Sequence, residues 1–110
     1  MEKMVAQGEQ YLDTIFTGKE IDYCESKARR SEHYAARYAA KEAILKALGT
    51  GWRDGLAFSE IEILNNELGK PQVFLHGKVR EFFDRQHIKQ TSISLSHTDK
   101  IAIAVAILES

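Results

Sequence analysis

The chain has 110 residues, of which 44% are hydrophobic and 28% charged, and its formal net charge is −1 at pH 7. This length predicts a single domain, and a charge near zero argues against bulk binding to nucleic acid or to an anionic membrane surface. The single cysteine, Cys24, cannot form an internal disulfide, which is typical of a reducing compartment. Neither zinc-ligand spacing, a membrane-length apolar run nor a signal peptide is recognisable, so we expect a cytoplasmic protein.

The first quarter of the chain has the pattern of two helices. Apolar residues at helical spacing over 4–16 predict an amphipathic helix, which a glycine at position 8 weakens. Thr17 followed three residues later by Glu20 is a capping-box pattern. It predicts a second helix that starts there and runs to about residue 28.

A short basic cluster follows, formed by Lys27, Arg29 and Arg30. Such a cluster can be a solvated helix end, where cations complement the helix dipole. The alternative is a landing site for an acidic partner. A nucleic-acid interface would combine a basic balance with aromatic residues along a charged groove, and since the sequence has neither, we do not favour that hypothesis.

The strongest helix pattern begins near Ser31, a candidate N-cap, and ends in Gly49-Thr50-Gly51. It is apolar nearly all round, which predicts a buried helix with Gly49 as its C′ glycine. Glu42 and Lys46 lie one turn apart on it, so we expect both side chains in or beside the core. Taken alone, they can be an ordinary helix ion pair. The second glycine is not needed to end a helix, and it would let the backbone approach a ligand closely.

The second half of the chain alternates polar and apolar residues in the manner of strands. We predict strands at 59–64, 73–75, 91–96 and 101–107. The first should be half-exposed, while the alternating Ile and Ala residues of the last predict that both its faces are covered. A turn at 65–69, a short helix at 77–86 and a hairpin at 97–100 connect these strands. The predicted fold is α+β, with helices, including the long buried one, packed on a mostly antiparallel sheet.

Three ordered blocks carry a resemblance to a known family. The stretch R-Y-A-A-K-E-A-I-L-K-A-L-G-T-G at 37–51 resembles the signature helix of the holo-acyl-carrier-protein synthases, which are small 4′-phosphopantetheinyl transferases. The blocks N-N-E-L-G-K-P at 65–71 and S-L-S-H-T at 94–98 agree with the same family in the same order. The resemblance covers 4–109, and three blocks in order argue against a chance match.

The resemblance implies a reaction in which a carrier-protein serine attacks the β-phosphate of coenzyme A. 4′-Phosphopantetheine is transferred and adenosine 3′,5′-bisphosphate leaves. It further implies Mg²⁺ as cofactor, acyl carrier protein as partner, a role in fatty-acid biosynthesis and a homotrimer. By the same resemblance Glu42 is a metal ligand and catalytic residue, while Lys46 is a catalytic residue that neutralises phosphate charge or helps to take the serine proton.

The resemblance also implies a set of contacts to coenzyme A. Arg37 and Lys41 stack like charges at i,i+4, which makes sense if an anion lies near them, and the matching family positions lie near the phosphates. Without the resemblance, both would be surface residues. The remaining implied contacts are Gly49, Thr50, Gly51, Gly69, Lys70, Pro71, Ser96, His97 and Thr98. Each of these can be an ordinary turn residue, and only the ordered set favours binding.

The start of the chain departs from the family pattern. The family begins with a strand of the form I-x-G-x-D-I/L, whose aspartate is a second metal ligand, whereas this chain aligns from the helix that follows that strand. We therefore expect one domain, 1–110, without the metal-binding strand. Three explanations are open: a clipped sequence, a variant that binds metal weakly, or a non-catalytic coenzyme A or carrier-protein binding module. We favour the first, because the other site residues are present and a lost strand would expose a sheet edge.

Overall fold

The structure, a computed structural model, describes residues 12–49, 57–97 and 101–109. The helices in these ranges are α1 (Gly18–Glu25), α2 (Arg30–Ala47) and α3 (Gly77–Arg85), with a 3₁₀ turn at Phe58–Glu60. The strands form two antiparallel pairs: β1 (Ile61–Asn65) with β2 (Pro71–Leu75), and β3 (Gln90–His97) with β4 (Ala102–Glu109). The prediction of an α+β fold with antiparallel strands is confirmed, and the strands form two pairs rather than one continuous sheet.

Helix α1 begins at the predicted capping box. The Thr17 hydroxyl accepts from the Glu20 amide at 3.3 Å, and the Glu20 carboxylate accepts from the Thr17 amide at 2.9 Å. The helix ends at Glu25, earlier than predicted, where the Ser26 hydroxyl donates to the Tyr23 carbonyl at 2.6 Å. A serine side chain that bonds to a backbone carbonyl competes with helix propagation.

Helix α2 is the longest described element. It begins at Arg30 with Arg29 as N-cap and no capping side chain, so the prediction that Ser31 is the N-cap is wrong. The Arg29 carbonyl already accepts from the Glu32 amide at 3.1 Å, which places Ser31 inside the first turn. The predicted end is confirmed, because Leu48 is the C-cap and Gly49 follows with φ +76°, in the left-handed region that favours glycine.

The core lies where α2 packs on the β3–β4 pair and on α1. Ala36, Ala40 and Ile44 recur at helical spacing and form a buried stripe on α2. The predicted helix at 4–16 falls largely outside the described residues. At its described end, Leu12, Ile15 and Phe16 are buried in this core, and the Phe16 ring lies 5.0 Å from the Tyr34 ring.

Two strand predictions are wrong about which faces are covered. β1 is not half-exposed: between the buried Ile61 and Ile63, the Glu62 side chain is also buried, since it is hydrogen-bonded by Thr17 and His76. One face of β4 is exposed. Its outward residues are 55–58% exposed: Ile103, Val105 and Ile107. Alternation of isoleucine with alanine predicts two apolar faces, but the described residues of this chain cover only the alanine-bearing face.

β3 and β4 pair antiparallel, as the predicted hairpin requires, and His97 is the last residue of β3 and lies opposite Ala102. The hairpin tip at 98–100 lies outside the described residues. On the outer face of this pair, Ser92, Ser94 and Ser96 stand opposite the exposed branched residues of β4. Within the described residues, no helix is long and apolar enough to cross a membrane.

Candidate active site

Glu42 and Lys46 lie near the C-terminal end of α2, on the side away from the buried stripe. Lys46 is exposed and Glu42 is partly buried, so the prediction that both side chains are held in or beside the core is wrong for Lys46. The physical reason is the alanine content of this helix, because alanine is tolerated on an exposed helix face as well as in a core, and Ala47 is exposed. No described residue forms a hydrogen bond or an ion pair with Glu42 or Lys46. Both charged groups are therefore available to a ligand.

Arg37 lies one turn before Lys41 and is only 2% exposed. Its guanidinium donates to the Ile63 carbonyl at 3.1 Å and to the Asn65 side-chain oxygen at 2.6 Å. Its Cζ lies 4.3 Å from the centroid of the Tyr23 ring, which is a cation–π geometry. Arg37 thus connects α2 to the end of β1, where the second motif block begins.

The turn between β1 and β2 is held together by the two asparagines at its start. The side-chain amide of Asn65 donates to the Gly69 carbonyl at 2.9 Å. The Asn66 side-chain oxygen accepts from the backbone amides of Leu68 and Lys70, each at 2.9 Å. Gly69 has φ +83°, so a side chain there would be strained. Gly69 and Lys70 are exposed, and Pro71 starts β2. The backbone of this predicted binding turn is therefore held in a defined conformation by its own hydrogen bonds. Arg37 stabilises the start of the turn through its bond to Asn65.

Lys41 differs from its sequence-based interpretation. Its side chain is 0% exposed, and its ammonium donates to the Glu20 carboxylate at 2.6 Å, the Ile15 carbonyl at 2.7 Å and the Phe58 carbonyl at 3.0 Å. An ammonium has three N–H donors, and the protein engages all three. The anion beside Lys41 is thus Glu20 of the same chain. This geometry gives Lys41 a structural role and does not support the predicted contact to a phosphate.

Sequence reasoning missed Glu20 as the counterion of Lys41. The Glu20 carboxylate also accepts from the Ile63 amide at 2.8 Å, so it joins α1, α2 and β1. The pKa of Glu20 is raised above its ordinary value, because the effect of burial outweighs that of the Lys41 ammonium and these hydrogen bonds, which lower it. The capping-box motif identified Glu20 as a helix-start residue, and no local signal pointed to the second bond across 21 residues of sequence.

The third motif block lies near the N-terminal end of α2. His97, the last residue of β3, places its Nδ1 3.1 Å from the Glu32 carboxylate, and Ser96 is exposed on the outer face of the strand. Gly49 is exposed at the other end of α2. Three predicted contacts, Thr50, Gly51 and Thr98, lie outside the described residues. The predicted site residues therefore fall into two groups along α2, one around Arg37 and His97 and the other around Glu42 and Lys46.

The two groups lie at different heights along α2. At 1.5 Å per residue, Glu32, which contacts His97, is about 15 Å from Glu42 along the axis of α2, and Arg37 is about 7.5 Å from Glu42. Within the described residues, no three His, Cys, Asp or Glu side chains come together in a way that could hold a metal ion. A cation at Glu42 would therefore need ligands in addition to the carboxylates that the structure describes.

The fold and the site together define a class of protein. Helix α2, which ends at Gly49 and carries Glu42 and Lys46 one turn apart, holds most of the first of the three sequence blocks that carry the resemblance. The family model of the 4′-phosphopantetheinyl transferase superfamily matches residues 1–106. The chain belongs to this superfamily.

Relatives within the superfamily point to one type of enzyme. The chain is 46% identical over 109 residues to a holo-acyl-carrier-protein synthase of a Geobacter species, covering 98% of this chain and 87% of the relative. The structure is similar to the Neisseria meningitidis holo-acyl-carrier-protein synthase, with a TM-score of 0.86, 28% identity, and coverage of 99% of this chain and 90% of the other. For the Helicobacter pylori enzyme in complex with coenzyme A, the TM-score is 0.78 at 32% identity, with coverage of 91% and 82%.

Proposed function

We propose that the chain transfers the 4′-phosphopantetheine group of coenzyme A to a serine of an apo acyl carrier protein and releases adenosine 3′,5′-bisphosphate. The observation that carries the proposal is the outward pair Glu42 and Lys46 on the glycine-ended helix α2, in a chain of this superfamily. The names of its relatives and the coenzyme A complex of one of them support this pair of substrates. We expect the reaction to serve fatty-acid biosynthesis.

In the proposed reaction, the serine oxygen bonds to the β-phosphorus of coenzyme A. The bond from that phosphorus to the oxygen of the α-phosphate breaks, and the leaving nucleotide takes the electron pair. Catalysis of this kind depends mostly on positioning and on stabilising charge. Lys46 is available to offset phosphate charge or to help remove the serine proton, because no described residue pairs with its ammonium.

The site at Glu42 fits a magnesium ion that is bound partly by the protein and partly by the substrate. Mg²⁺ usually binds through one or two carboxylates together with substrate phosphates and water, rather than in an all-protein cage. Glu42 offers one partly exposed carboxylate that no described residue engages. We propose Glu42 as a ligand, with coenzyme A oxygens and water among the others. When bound, the ion would offset the negative charge of the pyrophosphate.

The nucleotide end of coenzyme A is proposed to lie at the other end of α2. There, the exposed Gly69 and Lys70 and the strand end at Ser96 and His97 offer backbone and side-chain groups to a ligand. Arg37 is proposed to act by holding the turn through Asn65. Lys41 is assigned to the core, and Gly49, Thr50, Gly51, Pro71 and Thr98 remain proposed contacts on the resemblance alone.

The basic cluster is proposed to receive the carrier protein. Lys27, Arg29 and Arg30 are exposed, and each stays close to the surface of its own chain: Lys27 lies 4.7 Å over the Tyr23 ring, and the two arginines pair with glutamates at 3.3 and 2.8 Å. Exposed ion pairs of this kind are weak and can be exchanged for an acidic partner at little cost.

We further propose a homotrimer in the cytoplasm. The outward row of three branched residues on β4, Ile103, Val105 and Ile107, forms an apolar surface, and such surfaces often mark contacts between copies of a chain. The free Cys24 is consistent with a reducing compartment, and burial raises the pKa of its thiol to about 12, so it remains protonated.

The decisive experiment is an intact-mass assay of apo acyl carrier protein with coenzyme A, Mg²⁺ and this chain. A carrier whose acceptor serine is changed to alanine is the negative control. A second arm uses the chain preceded by an I-x-G-x-D-I strand. A gain of one phosphopantetheine in both arms would establish the transferase, and a gain only in the second would show that the reaction needs that strand. No gain in either arm, with coenzyme A still bound, would favour a non-catalytic binding module.

A further inference from the structure

A pair of imidazoles lies where the end of β3 meets the first turn of α2. The His97 Nδ1 lies 3.1 Å from the Glu32 Oε1, although the two residues are 65 positions apart in sequence. The side chains are only 29% and 14% exposed, so this contact is partly shielded from water. The His33 ring packs against the His97 ring with centroids 5.3 Å apart and an interplanar angle of 62°. His97 is thus held from two sides by α2.

The chemistry of this contact fixes which nitrogen of His97 faces outward. An ionised carboxylate only accepts hydrogen bonds, so Nδ1 must carry the proton and donate it to Glu32. No described residue hydrogen-bonds the other ring nitrogen, Nε2. Nε2 accepts from a hydroxyl or amino group when the ring is neutral, and it donates to a phosphate oxygen when the ring is protonated. The Glu32 contact therefore sets the direction of the ring in both forms, and the protonated form is the one whose Nε2–H binds a phosphate oxygen.

The Glu32 carboxylate has a second contact on its own helix, an exposed ion pair with Arg29 that contributes little by itself. Its Oε2 accepts from the Arg29 guanidinium at 3.3 Å, which leaves Oε1 for His97. Glu32 also lies in the first turn of α2, where a negative charge is favoured by the helix dipole. The ionised form of Glu32 is therefore favoured at this position by its own helix, and the His97 contact does not depend on the exposed Arg29 pair.

His33 provides the second support. Its ring lies between His97 and the Tyr23 ring, whose centroid is 5.7 Å away at an angle of 77°. Burial lowers the pKa of His33, and positive charge on His97, Arg37 and Lys27 lowers it further, while Glu32 opposes this. A neutral His33 packs beside His97 without repelling it.

We propose that Glu32 is a positioning residue for nucleotide recognition, holding the His97 ring through Nδ1 so that Nε2 is presented to the nucleotide end of coenzyme A. This inference rests on the proposed function, in which the strand end at Ser96 and His97 borders that nucleotide. It adds a residue outside the three motif blocks. It also names the 3′-phosphate of coenzyme A as the group whose recognition depends on Glu32.

The test compares Glu32→Ala, Glu32→Gln, His97→Ala and the double variant Glu32→Ala/His97→Ala. Coenzyme A and 3′-dephospho-coenzyme A are the two probes. Their binding is measured by calorimetry, and KM and kcat are measured in the carrier-protein assay. Glu81→Ala, on an exposed position of α3, is the matched control. Thermal unfolding of each variant confirms that it folds.

We expect Glu32→Ala to weaken coenzyme A binding and raise its KM by about tenfold, since an oriented, charge-assisted contact is lost, with kcat nearly unchanged. Glu32→Gln should recover most of the affinity, because its amide oxygen accepts from the same Nδ1–H. Dephospho-coenzyme A should bind all variants similarly. The double variant should be no weaker than His97→Ala, because Glu32 acts through His97.

Two results would overturn the inference while leaving the proposed function intact. One is a Glu32→Ala variant that binds coenzyme A as the parent chain does. The other is a double variant whose losses multiply, which would show that Glu32 and His97 act independently. A parent chain that neither binds coenzyme A nor transfers its arm would instead refute the proposed function, and the inference with it.

Discussion

On α2, a residue that stabilises the fold stands directly beside a residue that is proposed to act in the reaction. Successive helix positions point about 100° apart, so Lys41 can be enclosed while Glu42 stays accessible. Lys41 is 0% exposed with three protein acceptors, whereas no described residue engages Glu42. A single turn of helix therefore carries one residue that holds the core together and one that is open to a ligand. Substitution of Lys41 should therefore lower the stability of the fold, whereas substitution of Glu42 should lower the rate of the reaction.

At Glu42, substitution should affect the reaction and not the fold. We expect Glu42→Gln to lower the rate of transfer by at least about 100-fold, because an amide is a poor substitute for a carboxylate that binds a cation. The melting temperature should change by no more than a few degrees, as for other partly exposed sites. Rates from the mass assay and a thermal melt check both statements, with Glu81→Gln as the control. An unchanged rate would remove Glu42 from the active site.

At Lys46, the expected change is a fall in turnover. Lys46→Ala should lower kcat more than it weakens coenzyme A binding, because the ammonium is proposed to act on charge and a proton that change during the reaction. Kinetics with varied coenzyme A separate kcat from KM, and Lys78→Ala, at an exposed position on α3, serves as the control. A raised KM with normal kcat would make Lys46 a binding residue instead.

At Lys41, substitution should affect the fold. Lys41→Met leaves the buried Glu20 carboxylate without its counterion, and breaking a buried pair in this way typically costs about 3–5 kcal/mol. Chemical denaturation measures the loss. The double variant Glu20→Gln/Lys41→Met should recover part of it, because no unpaired charge remains. A stable Lys41→Met variant that no longer binds coenzyme A would restore the phosphate contact that the sequence suggested.

At the scale of elements, Thr17 joins the start of α1 to β1. Its hydroxyl accepts from the Glu20 amide at 3.3 Å and donates to the Glu62 carboxylate at 2.5 Å. Burial alone would raise the pKa of Glu62, but the hydrogen bonds from Thr17 and His76 and the charges of His76 and Lys19 lower it below the ordinary 4.5. A lowered pKa means that this carboxylate stabilises the fold above pH 4.5, and the contribution is lost as the pH falls through the lowered value.

We therefore expect Thr17→Val to reduce stability at pH 7 by about 1–3 kcal/mol, through loss of both the cap and the bond to Glu62. The difference from the parent chain should shrink as the pH falls below the ordinary 4.5 and through the lowered pKa of Glu62, where Glu62 becomes protonated in both. Urea denaturation at pH 7 and at a series of acidic pH values measures how this difference changes. Thr17→Ser, which keeps the hydroxyl, is the matched control. A difference that stays constant across this range would show that the cap alone matters.

These elements also show how far sequence reasoning reached. The start of α1, the end of α2 at Gly49 and the pairing of β3 with β4 depend on residues close in sequence, and each was predictable from local pattern. The burial of Glu62 and of Lys41 depends on partners that are 45 and 21 residues away. The periodicity of a sequence assigns a charged residue to the exposed face, because periodicity contains no information about a distant residue that the fold brings next to it. The same limitation hid the contact between Glu32 and His97.

At the scale of the whole molecule, the outer face of the β3–β4 pair is where copies of the chain should meet. Its serines stand opposite Ile103, Val105 and Ile107, so one half of the face is apolar and the other half can hydrogen-bond.

We expect the parent chain to elute as a particle with the mass of three chains in size-exclusion chromatography with light scattering, since burial of such an apolar row stabilises an assembly. Val105→Lys would place a charge in that interface and should yield monomers, while Gln72→Lys, at an exposed position on β2, should not. A Val105→Lys chain that keeps the parent mass would place the contact elsewhere. A monomeric variant that also loses transfer would indicate that the active site is completed by a second copy.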